Sequence, residues 1–210
     1  MGDQDQRAPA ELTAQDYRQR LQAIYRLVER HPPQAGIWIR PLLKDRESLV
    51  RSAAIVALGE LQDQESFADL VNCLAAPTSH ERSNAVLALV ALGDARMRDP
   101  LVQALTHETR PFVCFVLIKG LSAFADDGEV IEALIQQLQA PDTDVRATAA
   151  VALAKMRARA AVPALQHMMQ TDTNQETSIQ GLWVANSSVA QMASATILSG
   201  QQASELDWPS

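Results

Sequence analysis

The chain is poor in aromatic side chains, which make up 4% of its 210 residues. Ala and Leu are abundant instead, as in helix-rich proteins whose neighbouring helices pack closely. Cysteine is scarcer still. Cys73 and Cys114 are the only two, too few for a disulfide framework. Basic charge is also short: 18 Lys and Arg face 25 Asp and Glu, a net charge of −7. That balance argues against general binding of nucleic acid or of an anionic membrane, which needs a Lys/Arg face. Long apolar runs are missing. Ala85–Gly93 and Phe112–Ile118 are the longest, far below the roughly 20 residues that span a bilayer. Residues 1–10 are polar and carry no apolar signal-peptide core. These absences together suggest a soluble cytoplasmic protein with reduced thiols, no nucleic-acid partner and no membrane insertion.

Recognisable chemistry is absent too. There is no Gly-x-Ser-x-Gly elbow and no glycine-rich phosphate loop. His31, His80, His107 and His167 have no histidine partner one helical turn away, and no cysteine pair exists to complete a metal site. Asp126, Asp127 and Glu129 cluster, but carboxylates at a helix start explain them. No catalytic residue, metal ligand or cofactor is expected.

What the chain does have is self-similarity. Val50-Arg51-Ser-Ala-Ala54-Ile-Val-Ala57-Leu58 returns as Glu81-Arg82-Ser-Asn-Ala85-Val-Leu-Ala88-Leu89, and again as Val145-Arg146-Ala-Thr-Ala149-Ala-Val-Ala152-Leu153. Residues 113–124 hold a weaker copy. A period of about 31–32 residues marks stacked supersecondary units. Each unit reads as two helices. Helix A carries leucine pairs such as Leu70/Leu74, Leu101/Leu105 and Leu134/Leu138. Helix B starts at Ser48, Thr78 or Ser79, and Asp142 or Thr143, side chains able to cap free N–H groups. Pro77 and Pro141 sit in the turn before it, where proline is tolerated.

Within helix B the positions of 50, 54, 57, 58 and 61 recur as apolar or small residues, one helical face. Leu58, Leu89, Leu121 and Leu153 are the expected core fillers. Arg51, Arg82 and Arg146 recur near the helix start. Their planar forks suit a structural role, linking acidic groups such as Asp45, Glu47, Asp142 or Asp144 and turn carbonyls of adjacent units. Gly59 and Gly93 read as helix terminators. Residues 11–30 read as one amphipathic N-terminal capping helix with Thr13 and Asp16 as its capping pair. Residues 1–10 are expected to be disordered, 171–188 to form a long polar loop, and 201–210 to be a tail.

The pattern Pro141-Asp142-x-Asp144-Val145-Arg146-x-x-Ala149-x-x-Ala152-Leu153 resembles the HEAT-like repeat of phycobilisome lyases. The resemblance spans roughly residues 35–170, more weakly 10–200. It implies an all-α fold: a right-handed α-solenoid of about five HEAT-like helical pairs over residues 11–200, with an N-terminal capping helix. At Cys114 and Ala190 the arginine of the repeat is missing.

Function is expected from the other face of helix B. The positions of 52, 56 and 59 hold Ser83, Leu87, Val90, Phe115, Lys119 and Val151 in different copies, with almost no charge. An exposed charge-poor face marks a partner site. The reading is therefore a non-catalytic scaffold or adaptor that binds another protein there, with Trp183 of the late loop adding contact. Two alternatives use the same surface. The family resemblance implies a bilin lyase or isomerase subunit, which would hold a bilin chromophore for a phycobiliprotein. An inhibitor or immunity-type binding protein is the other.

Overall fold

The computed structural model describes residues 7–172, 176–179 and 182–199. Eleven α-helices occur among them. A short 3-10 turn, Ala10–Thr13, precedes α1 (Tyr17–Arg30). Then come five helical pairs. The first pair is α2 (Ala35–Ile39), continued by a 3-10 segment Arg40–Lys44, and α3 (Ser48–Glu60). The second is α4 (Phe67–Cys73) and α5 (Ser79–Leu92). The third is α6 (Arg98–His107) and α7 (Pro111–Leu121). The fourth is α8 (Gly128–Gln137) and α9 (Thr143–Lys155). The last is α10 (Val162–Thr171) and α11 (Asn186–Ser199). The chain divides into two units, Met1–Pro100 and Leu101–Ser210.

Two of the helices B, α5 and α9, begin at a side-chain cap, whereas Ser48 does not cap α3, which has no side-chain cap at Glu47. The Thr78 hydroxyl accepts from the Glu81 N–H, and Asp142 Oδ1 accepts from the N–H groups of Asp144 and Val145. Such caps contribute about 1 kcal/mol each. Asp127 caps α8 in the same way, which accounts for one member of the acidic cluster. Leu58, Leu89, Leu121 and Leu153 are fully buried. In the first unit α3 packs along α5, with α1 against α3; in the second, α9 packs against α7, α8 and α11.

Several local expectations are corrected. Thr13 does not cap α1; its hydroxyl donates to the Ala10 carbonyl, and Asp16 alone accepts from the Arg18 N–H. Gly59 does not end α3. It lies inside the helix, where a Cβ would come within 2.8 Å of Ala88 Cα, so glycine is what lets α3 and α5 approach. The ends of α3 and α9 use left-handed Gln62 (φ 50°) and Arg157 (φ 54°). There the Asp63 and Ala158 N–H groups reach back to the carbonyls of Leu58 and Leu153. Gly93 (φ 66°) does close α5 as expected.

The segment read as a long loop contains an antiparallel pair of strands, β1 (Glu176–Ile179) and β2 (Leu182–Ala185). Thr177, Ile179 and Val184 favour extended backbone. β1 packs on α9 and β2 on α11. The expected tail at 201–210 and most of the expected disordered N-terminus, residues 1–6, lie outside the described residues.

Candidate functional site

Helix B is wider in its buried arc than one apolar face. The position of Ile55 is buried in every internal copy, as Val86, Ile118 and Ala150, beside the expected Ala54 and Leu58 positions. This second buried side narrows what is left for solvent to one stripe per helix. On α3 the stripe shows Leu49, Val56 and Glu60; on α5, His80, Leu87 and Val90; on α7, Phe112, Phe115 and Lys119. The stripe of α9 is polar by comparison, with Asp144 and Lys155 exposed and Val151 half-buried.

The expected contact residues separate accordingly. Leu87 is 54% exposed, Val90 40% and Phe115 41%. The Lys119 ammonium lies 5.3 Å from the centre of the Phe115 ring, a cation–π arrangement that shields one face of the aromatic without burying it. Ser83 is corrected: it is 2% exposed and its hydroxyl donates to the His80 carbonyl. The same position is covered as Ala147 and open as Phe115. The side chain of Trp183 lies outside the described residues. Sequence reasoning missed Leu49 and Phe112, 60% and 63% exposed. Their signal was present three residues before the 52 position, on the same helical stripe.

The arginines position these helices. In each case Nη1 donates to the carbonyls six and five residues earlier, in the turn before the helix. Arg51 reaches Asp45 and Arg46, Arg82 reaches Ala76 and Pro77, and Arg146 reaches Ala140 and Pro141, at 2.7–3.4 Å. Arg20 of α1 does the same to Ala14 and Gln15. The other edge of the fork grips a carboxylate of the following pair. Arg20 holds Asp45 at 2.7 and 2.8 Å, Arg51 holds Glu81 at 2.7 and 2.8 Å, and Arg146 holds Asp172 at 2.7 and 3.0 Å. One residue thus ties a turn, its own helix and the next pair together.

The carboxylate is not always in the same place. Asp45 lies 25 residues after its arginine and Asp172 lies 26 after its own. The residue 25 after Arg51 is Ala76, and Glu81 serves instead, at a helix position filled by valine in the other copies. Glu81 is 1% exposed. Burial pushes Asp45 and Asp172 up, but hydrogen bonds from Arg20 and Arg146, among others, outweigh it and hold both carboxyls below the ordinary range. Asn186, fully buried, adds a hydrogen bond to Asp172 Oδ2 at 3.0 Å. Arg20, Glu81, Asp172 and Asn186 were not anticipated from sequence. Only Glu81 gave a signal, as a lone acid in an apolar column.

The cysteines carry no activated thiol. Cys73 and Cys114 are both pushed up to about 11, chiefly by burial, then by carboxylates: Asp69 and Glu81 for Cys73, Glu108 and Asp142 for Cys114. Among the described residues no group of three or more His, Cys, Asp and Glu side chains could hold a metal ion. No described helix is long and apolar enough to cross a membrane.

The family model for HEAT repeats matches this chain over residues 10–89, 41–122 and 99–183. Among solved structures the chain is similar to an engineered protein, with 21% identity and a TM-score of 0.61, over 91% of this chain and 95% of that one. It is also similar to the complex of CpcE and CpcF of phycocyanin lyase from Nostoc sp. PCC7120, with 22% identity and a TM-score of 0.57, over 94% of this chain and 88% of that one. At these identities the likeness concerns the fold. None of the curated proteins matches the chain.

Proposed function

Because the chain belongs to the HEAT-repeat family, we propose that it is a non-catalytic scaffold or adaptor that holds a partner protein on the exposed stripes of its helices B. The observation that carries this reading is the apolar character of those stripes. Within the first unit Leu87 and Val90 of α5, and within the second Phe112 and Phe115 of α7, are large side chains held in water on helices. Elsewhere on such a surface solvated charge would be expected. Large apolar side chains on a preorganised surface supply the anchors of a protein interface at low ordering cost. The arginine clamps support the reading, since they fix the helices that present these anchors.

Affinity capture with the immobilised chain, read by mass spectrometry, tests the proposal. The same partner should be retained by the wild-type chain and lost from Leu87→Asp and Phe115→Asp. Retention by both variants would place binding elsewhere. Incubation with a linear tetrapyrrole provides the contrasting arm: a new visible absorption band bound to the chain would favour a bilin-handling role over a purely protein-binding one.

A further inference from the structure

Cys114 stands where the other internal helices B carry arginine. Its thiol reaches the carbonyl six residues earlier, that of Glu108, at 3.8 Å. This is the carbonyl position that accepts from Arg51, Arg82 and Arg146 Nη1 in their own copies. A thiol is far smaller than a guanidinium on a three-carbon stem. Beside it lies a cavity of about 280 Å³, lined among others by Thr106, Glu108, Thr109, Cys114, Gln136 and Asp142.

The acid that would answer an arginine here has gone as well. The residue 26 after Cys114 is Ala140, and the helix position used by Glu81 is Val145. Losing both partners together is physically consistent, because a buried carboxylate left without its cation would be costly. The lining nevertheless keeps a sign. Asp142 is in it, its Oδ1 capping α9, and no Lys, Arg or His is.

We propose that this cavity is a slot for a guanidinium group supplied from outside the chain, an arginine side chain of the partner protein. The backbone around it is the one that seats a guanidinium in three other copies of the repeat. Carbonyl oxygens and the Asp142 carboxylate suit a planar cation with five N–H donors and disfavour an anion. The identity of the arginine's carrier rests on the protein-binding reading above; the slot itself does not.

The test is amide-resolved NMR of the whole chain titrated with N-acetylarginine amide, and separately with its neutral isostere N-acetylcitrulline amide. Saturable shifts are expected at residues 108–114 and 140–142 with the arginine probe. Binding of the citrulline probe should be weaker by about tenfold, the order set by losing a charge-assisted hydrogen bond. Cys114→Ser should retain the response. Cys114→Arg should abolish it, since its own fork fills the slot. Should Cys114→Arg fail to fold, Asp142→Asn, which keeps an N-cap acceptor, should weaken the arginine probe alone. No saturable shift, equal binding of both probes, or an undiminished response in Cys114→Arg or in the folded Asp142→Asn overturns the proposal. A response to the probe with intact partner capture by Leu87→Asp and Phe115→Asp would sink the docking face and leave the slot standing. The reverse pattern would sink the slot alone.

Discussion

Arg146 and Asp172 meet through two parallel hydrogen bonds, Nε to Oδ2 at 2.7 Å and Nη2 to Oδ1 at 3.0 Å, with both side chains buried. The pair joins the start of α9 to the end of α10, and Asn186 brings the start of α11 onto the same carboxylate. Removing either partner leaves a buried charge without an answer. Asp172→Ala and Arg146→Ala should each lower the stability of the second unit by about 3–5 kcal/mol in urea unfolding at neutral pH. A loss near the value of a surface pair, below about 1 kcal/mol, would contradict the clamp.

Acid should act through the same carboxyls. The folded-state values of Asp45 and Asp172 lie below the ordinary one. Below about pH 4 the unfolded chain therefore binds protons that the folded chain does not, and stability falls as pH falls. The contribution is fully present above the unfolded value and disappears as pH drops through the folded values. In Asp45→Asn/Asp172→Asn the melting temperature should start lower at neutral pH and decline less steeply below about pH 4. An unchanged acid slope would show that other groups control it.

Two backbone positions should respond in opposite directions to exchanges of glycine. Gly59→Ala forces a methyl against the backbone of Ala88 and should cost about 1–3 kcal/mol. Arg157→Gly relieves a left-handed non-glycine residue and should stabilise by about 0.5–1 kcal/mol, the left-handed penalty less the entropy of a freer unfolded chain. Stabilisation by the first or destabilisation by the second, in thermal unfolding, would overturn the packing described for each.

Both thiols should be slow. With values near 11, Cys73 and Cys114 should react with a thiol-specific disulfide reagent far more slowly in the native chain than after unfolding at pH 8. Native rates should climb steadily as pH approaches 11. A fast native phase at pH 8 would mean that one thiol is more open or more acidic than its surroundings imply.

The repeated pairs were legible because small residues and leucines recur at one helical spacing and because Thr78 and Asp142 announce helix starts. Their partners were not. Ser83 and Ala147 are buried and Phe115 is open at one repeat position, a difference that helical spacing alone does not encode. The recurring arginines were legible as structural. Of their acids Asp45 was legible as a group for an arginine fork to link, though its partner is Arg20; Asp172 and Glu81 were not, since one comes from the next turn and the other from the next helix. The strands at 176–185 escaped notice because each is four residues long within a polar segment.

The docking role of the exposed helix-B stripe in each unit is tested most directly on Leu87→Asp in the first and Phe115→Asp in the second, by measuring thermal unfolding and partner affinity on the same samples. A carboxylate on an open stripe stays hydrated in the free protein and must be desolvated in the complex. The expected result is a melting temperature within about 2 °C of wild type, as for a surface change, with affinity reduced at least about tenfold, the order of one lost anchor. Unchanged affinity, or affinity lost only together with the fold, would contradict the docking surface.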